Sequence, residues 1–383
     1  MSEYTLIAAS SFGLESVVAH ELKRLGYGDL TVENGKVTFS GGEEDIARCN
    51  LWLRAADRVL IKVAEFEAHD FDELFDGTAR VGWPDMIPVD GKMHVTGKSV
   101  QSQLASVSDC QSIVKKAIVE SMKKRHRRDW FDETGPIYKI EISLLKNRAT
   151  LTIDTTGPGL HKRGYRSDAG EAPLRETLAA GLVLLSRWTP DRVLADPLCG
   201  SGTIAIEAAL IGKNMAPGLN RSFVSEGWGQ IPKKVWDRAR EEARSAINRS
   251  DFRVLASDSD AAVLKKARAN ADHAGVEDSI ALQRMAVSDF RSHKKYGCII
   301  CNPPYGLRMG EERIVEALYR SMGEMYRKLD SWSMCVLTAH PDFQKFFGRK
   351  ADRNRKLYNG DIKCYYYQYT GGSPPRIPRA ESV

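Results

Sequence analysis

A short apolar strand, Val193-Leu-Ala-Asp196, breaks on Pro197-Leu-Cys-Gly-Ser-Gly-Thr203 and resumes as an apolar helix over 204–211. Gly200 and Gly202 let the backbone turn sharply and approach a ligand, and the helix that follows offers free N–H groups at its start. Strand, glycine turn and helix in that order form the repeating unit of a parallel, doubly wound α/β sheet. From Leu174 onward the chain keeps this texture. A helix over 175–186 and a strand over 192–196 lead to expected strands over 254–258, 280–285 and 297–301. A Rossmann-like domain is therefore expected over 174–370. The segment 371–383, with three prolines and two arginines, reads as a disordered tail.

With Ala205, the turn also fits G-x-G-x-x-A, the dinucleotide fingerprint. Charge separates the readings. A phosphate loop needs a lysine or at least no anion, yet Asp196 ends the strand, and no lysine directly follows Gly202. A carboxylate there suits a cation, such as the ammonium and sulfonium of S-adenosylmethionine. The next strand ends at Ala256-Ser-Asp258-Ser-Asp260. Asp258, with Ser259 beside it, is placed to accept both hydroxyls of a ribose. Asp260 reads as the cap of the helix beginning at Ala261. After the third strand, Asp289 could accept from an adenine amino group, although an isolated loop aspartate also reads as a turn residue.

The fourth strand ends in Cys301-Asn302-Pro-Pro-Tyr305-Gly306. The two prolines stiffen the turn and remove N–H groups, which leaves carbonyls as pure acceptors. An exocyclic amine on a base is a poor nucleophile because its lone pair is delocalised into the ring. The Asn302 side-chain oxygen and the Pro303 carbonyl can accept both of its hydrogens and aim the lone pair at an electrophile. Tyr305 supplies an aromatic face for a base taken out of its stack.

The first 66 residues read as a β-α-β-β-α-β, ferredoxin-like unit. Strands over 30–33 and 36–39 meet at Asn34-Gly35, a hairpin signal. A second unit, 67–155, holds a strand over 92–97, a helix starting near Ser108-Asp109, and strands over 137–144 and 148–154. A linker over 156–173 follows. Net charge is only +6, but it is unevenly spread. Lys115, Lys116, Lys123, Lys124, Arg125, Arg127 and Arg128 crowd the end of the second unit's helix, more than a helix dipole requires. Arg349, Lys350, Arg353, Arg355 and Lys356 form a second cluster. Both point toward a polyanion or, more blandly, toward a solvated face.

Several classes drop out. The seven cysteines are odd in number and scattered, which argues against a disulfide framework. Cys298 and Cys301 have the spacing of a zinc half-site, but no second Cys/His pair completes four ligands, so no metal is expected. No stretch approaches the roughly 20 apolar residues of a membrane span. The N-terminus has no basic leader, so a cytoplasmic location is expected.

In this order the motifs resemble the amino-methyltransferase branch of the Rossmann-like methyltransferases. Asp196, Pro197, Cys199, Gly200, Ser201, Gly202 and Thr203 are similar to its cofactor loop, Asp258 to its ribose acid, and Asn302-Pro-Pro-Tyr305 to its catalytic tetrapeptide. Leu104 to Ala117 resembles the later part of a THUMP domain, an RNA-binding module. Together with His161-Lys-Arg-Gly-Tyr-Arg166 and Ala172-Pro-Leu-Arg-Glu-Thr-Leu178, the chain resembles bacterial THUMP-containing guanine-N2 methyltransferases of 23S, large-subunit ribosomal RNA. The resemblance implies S-adenosylmethionine as cofactor and structured RNA as partner. It places Arg163 to Arg166 against the methionine end of that cofactor. Some relatives carry a second fused methyltransferase domain, and none is expected here. The segment 213–250, with Trp228, Pro232 and Trp236, either shapes the substrate side or packs as a surface helix. Adenine-N6 and transfer-RNA guanine-N2 transfer share the tetrapeptide and stay open, as does an inactive RNA-binding assembly factor. A nicotinamide oxidoreductase would leave Asn302 to Tyr305 without a role.

Overall fold

The computed structural model describes residues 3–166, 174–306, 310 and 312–372. The end of the linker, 167–173, and residues 373–383 of the tail expected over 371–383 lie outside the described residues. The chain divides into two compact units, of 1–10, 18–160 and 221–243, and of 11–17, 161–220 and 244–383.

The first unit is built on β1 (Tyr4–Ser10), α1 (Glu15–Arg24), β2 (Thr31–Glu33), β3 (Lys36–Gly41), α2 (Glu43–Trp52) and β4 (Ala56–Glu67). It continues with α3 (Phe71–Ala79), α4 (Trp83–Met86), β5 (Lys92–Val100), α5 (Val107–His126), β6 (Ile137–Leu145) and β7 (Arg148–Asp154). The hairpin at Asn34-Gly35 forms, with Glu33 opposite Lys36 and Gly35 at φ +76°. Its strands join one seven-stranded sheet, in the order β2-β3-β1-β4-β7-β6-β5. The twelve-residue β4 is the spine: its first half pairs with β1 and its second half with β7. The ferredoxin-like and second regions, expected as separate domains, therefore share a continuous sheet. Ser106 caps α5 by accepting from the Asp109 N–H (3.4 Å), and the helix ends on Arg127 in the left-handed region, φ +52°.

The second unit contains α6 (Glu176–Ser186), β8 (Leu194–Asp196) and α7 (Thr203–Gly212). The chain then leaves it: most of α8 (Lys233–Ser245) groups with the first unit. Trp228 stacks on Tyr138 (4.6 Å, 12°) and donates to the Ile137 carbonyl, while Ser225 donates to the Thr155 carbonyl (2.6 Å). Val235, Trp236, Ala239 and Ala243 make the buried stripe of α8. The segment packs as a helix-bearing excursion, with Trp228 against β6 and Trp236 against Phe223 (5.3 Å).

The chain returns in β9 (Val254–Asp258), α9 (Ala261–His273), β10 (Ile280–Arg284), β11 (Cys298–Cys301) and α10 (Glu312–Arg327). β12 (Ser333–Thr338), α11 (Phe343–Phe347), β13 (Arg353–Asn359) and β14 (Ile362–Tyr369) complete it. The sheet order is β10-β9-β8-β11-β12-β14-β13. Five strands are parallel, the four expected and β12, which was not read from the sequence, whereas β14 runs antiparallel to both neighbours. The tight β13–β14 hairpin forces that reversal, since parallel neighbours need a crossover of a dozen or more residues. The core beneath this half is aromatic: Tyr319, Trp332, Phe343, Phe347, Tyr367 and Tyr369 are all buried. All seven cysteines are buried free thiols, Cys298 and Cys301 among them.

Candidate active site

A doubly wound sheet binds ligands at the carboxyl ends of its strands, where the strand order reverses. Here the reversal falls between β8 and β11, which pair in parallel with Leu194 opposite Cys298 and Ala195 opposite Ile299. Continuing that register sets Asp196, last in β8, opposite Ile300, so Asn302 leaves the same carboxyl edge two residues further along the neighbouring strand. On the other side of β8, Asp196 pairs with Ala256, which puts Asp258 two residues further along the neighbouring strand.

Asp196 is 1% exposed and accepts a hydrogen bond from the Leu198 N–H (3.3 Å). Burial, and then the charge of Asp258, push its carboxyl up to about 8 against the pull of the Leu198 N–H, and no cation among the described residues offsets the rise. Asp258 does more than the sequence suggests. One of its oxygens accepts from the Gly200 N–H (3.0 Å) and the other from the Asp260 N–H (3.0 Å), so it ties the glycine turn to the second strand. Asp260 caps α9 through the Ala262 N–H (2.7 Å), as read from the sequence. Gly200 and Gly202 hold φ +53° and +86°, and a side chain built on Gly200 would meet nothing within 4 Å. The loop thus leaves room above the turn for a ligand. Asn270 donates to the Ser201 carbonyl (3.0 Å), and the Cys199 N–H donates to the Ser257 carbonyl (2.9 Å). Pro197 and Cys199 are buried.

The tetrapeptide stands beside this loop. Asn302 is half-buried, and its Oδ1 accepts from the Tyr305 hydroxyl (2.6 Å). That oxygen has two lone pairs, so one is left for a substrate hydrogen. The Tyr305 phenol lies among Cys364 and Asn359, and burial raises its pKa. Ser259 and Asp289 are exposed, and Asp289 takes a hydrogen bond from its neighbour Ser288 (3.2 Å). Neither hydrogen-bonds to the loop or the tetrapeptide among the described residues.

Comparison with known proteins bears on this arrangement. Residues 163–368 match the RMKL-like methyltransferase domain, 5–60 the RlmL ferredoxin-like domain and 68–154 the THUMP domain. The chain belongs to the RMKL-like methyltransferase family. It is 52% identical, over the full length of both chains, to a Bacillus subtilis (strain 168) protein provisionally named RNA methyltransferase YpsC. It is 33% identical to the ribosomal RNA large subunit methyltransferase K/L of Syntrophotalea carbinolica, with 98% of this chain matching 56% of that protein. A solved structure from Listeria monocytogenes, described as a predicted N6-adenine-specific DNA methylase, superposes with a TM-score of 0.93 at 50% identity, covering 97% of each chain. SMU.472, provisionally a methyltransferase and crystallised with SAH, superposes at 0.92 and 45% identity over 98% of this chain and 100% of its own.

The methyltransferase is S-adenosylmethionine-dependent, and the site's residues fit that group. They offer a buried carboxyl with no partner cation among the described residues and an open glycine turn tied to a second acid. The linker arginines, in contrast, divide. Arg163 is 3% exposed and pairs with the fully buried Glu207 (3.4 Å), which also accepts from the Tyr165 hydroxyl (3.2 Å). Arg166 reaches the cofactor-loop side, donating to the Thr203 hydroxyl (2.7 Å) and pairing with Glu176 (3.4 Å).

One residue of the methyltransferase domain escaped the sequence reading. Tyr319, wholly buried on α10, donates to the Pro304 carbonyl (2.8 Å) and shares a hydrogen bond with Thr338 at the end of β12 (3.0 Å). The available signal is a phenol on a buried stripe, Val315, Tyr319, Met322 and Tyr326, which requires a polar partner. Tyr319 anchors the carbonyl next to that of Pro303. Tyr319→Phe removes that anchor and the bond to Thr338 while keeping the ring, and we expect turnover to fall about 2- to 10-fold. Cofactor affinity and melting temperature should change little, so a drop in affinity equal to the drop in kcat would refute a positioning role.

In the THUMP region the basic cluster divides too. Lys115 pairs with Glu133 (2.8 Å), Lys123 pairs with Glu120 (3.2 Å), and Lys116 lies over the Phe75 ring (5.9 Å). Lys124, Arg125, Arg127 and Arg128 are exposed at and beyond the end of α5.

Proposed function

We propose that the protein transfers a methyl group from S-adenosylmethionine to the exocyclic N2 amine of a guanine in 23S, large-subunit ribosomal RNA, in the cytoplasm. The observation that carries this reading is the adjacency of Asp196 and Asn302 at the switch point. The charge end of a cationic donor and two oxygen acceptors for an amine then share one crevice. In this reading Asn302 Oδ1 and the Pro303 carbonyl accept the two amine hydrogens, Tyr305 keeps Asn302 in its rotamer, and the lone pair is left pointing at the donor. When bound, S-adenosylmethionine supplies an activated methyl with a good leaving group, so positioning replaces a strong general base. The Asp258 carboxylate holds the turn and has lone pairs to spare for a ribose.

The RNA assignment is supported by the THUMP match, the relatives' names and the four exposed cations at the end of α5. Adenine N6 is the second reading, favoured by the name of the Listeria relative. Nucleoside mass spectrometry of ribosomal RNA from a deletion strain distinguishes the two. Loss of N2-methylguanine supports the proposal, and loss of N6-methyladenine alone replaces it.

A pH dependence follows from Asp196. Its folded pKa is raised from 3.8 to about 8, so the folded protein binds the extra proton between those values. The sign is therefore that its stability contribution is present at low pH and lost as pH rises through about 8. A cation selects the carboxylate, so cofactor binding below that pH releases a proton. Affinity should rise toward about tenfold per pH unit from pH 6 and level off near the pKa. Titration calorimetry across this range checks it. A flat profile, or one that Asp196→Asn leaves in place, rejects the assignment.

A further inference from the structure

We propose that the outer face of the β13–β14 hairpin is a second RNA-contact surface, which holds unpaired nucleotides flanking the base presented to Asn302. This rests on RNA being the substrate. The hairpin turn lies at the carboxyl edge of the sheet, because Thr338, the end of β12, pairs with Tyr365, and Asn359 pairs with Ile362 beyond it. It also borders the tetrapeptide, since the Tyr305 phenol lies among Asn359 and Cys364.

Directly opposed residues of an antiparallel pair share a face. Lys356 is opposite Tyr365 and Tyr358 is opposite Lys363, so lysines and tyrosines alternate on one side. The Lys356 ammonium lies 5.4 Å from the Tyr358 ring and 5.6 Å from that of Phe12, and Lys363 lies 5.3 Å from Tyr365. Phe12, in the segment 11–17 that groups with this unit, meets Tyr358 edge to face at 6.0 Å. It is 44% exposed, and both lysines are exposed. Lysines alone would be the usual protection of an edge strand such as β13. The exposed Phe12 ring and the partly exposed rings of Tyr358 and Tyr365, the last of which also packs against the core, are not explained that way, because protection of an edge is served by charge and not by exposed apolar area.

Rings and ammonium groups at this spacing are what single-stranded RNA requires: bases stack on the rings and phosphates pair with the lysines, whatever the sequence. Against them stand Asp361 at the turn and Asp352, which is paired with Arg349. The location fits as well, because taking one base out of its stack leaves its neighbours unstacked beside the crevice.

The test uses the full chain with ribosomal RNA purified from a deletion strain. We expect the double variant Lys356→Ala/Lys363→Ala to raise KM for RNA about tenfold. It should also reduce the slope of log affinity against log salt by about 1.4, the value for two phosphates on a single strand. kcat and cofactor affinity should stay within twofold of wild type. Tyr358→Ala should raise KM, and Tyr358→Phe, which keeps the ring, should not. An unchanged KM and salt slope in the double variant overturns the proposal and leaves the face to a protein partner. Wild-type protein that methylates no RNA at all refutes the functional reading itself, a result the variants cannot mimic.

Discussion

Asn302→Ala is expected to lower turnover on ribosomal RNA by about 10²–10³-fold, the cost of removing one preorganised polar partner from a reacting centre. Cofactor affinity should stay within a few-fold of wild type, because no hydrogen bond links Asn302 to the Asp196 loop among the described residues. Two losses combine. The substrate amine loses an acceptor, and the Tyr305 hydroxyl, now 2.6 Å from Asn302 Oδ1, loses the group it orients. Initial rates with tritiated cofactor and calorimetric cofactor titration give the two readouts separately. Turnover within tenfold of wild type would sink the role assigned to this side chain.

Asp258→Ala should show the opposite pattern. The variant deprives the Gly200 and Asp260 N–H groups of their acceptor, and the glycine turn is no longer tied to β9. Hydrogen bonds to a charged group contribute about 1.5–3 kcal/mol each. Losing two of them, together with any bond to a ribose, should weaken the cofactor about a hundredfold or more. At saturating cofactor, kcat should recover to within several-fold of wild type. Asp260→Ala serves as the contrast: it removes only the cap of α9, costs about 1 kcal/mol of stability, and should leave the cofactor alone. If Asp258→Ala binds cofactor within threefold of wild type, the tie between turn and strand is not what shapes the site.

The legible part of this protein is local. Glycines force the turn after Asp196, prolines stiffen the corner at Asn302, and an apolar run ending in an acid marks β9, so Val254–Asp258 stands where it was expected. The pairing of β4 with β7 was not legible, because it joins residues more than eighty positions apart and either strand alone suits many partners. The tight turn after Asn359 reverses β14 against β13, but its insertion beside β12 is a long-range choice that its own residues do not encode. Trp228 and Trp236 announce burial, yet nothing in their neighbourhood says that the rings stack on Tyr138 and Phe223.

The same division runs through the site. By itself the sequence determined which atoms are available: a carboxylate at Asp196, acceptors at Asn302 and Pro303, cations past the end of α5. Those follow from side-chain chemistry and backbone freedom, which are properties of single residues and their neighbours. Only the tertiary structure decided that Asp258 spends both oxygens on backbone N–H groups, that Arg163 is locked to Glu207 while Arg166 reaches Thr203, and that Tyr319 grips the Pro304 carbonyl. Each of these is a bond between groups brought together by packing. Sequence spacing cannot foresee such bonds, because their geometry depends on how separate elements dock.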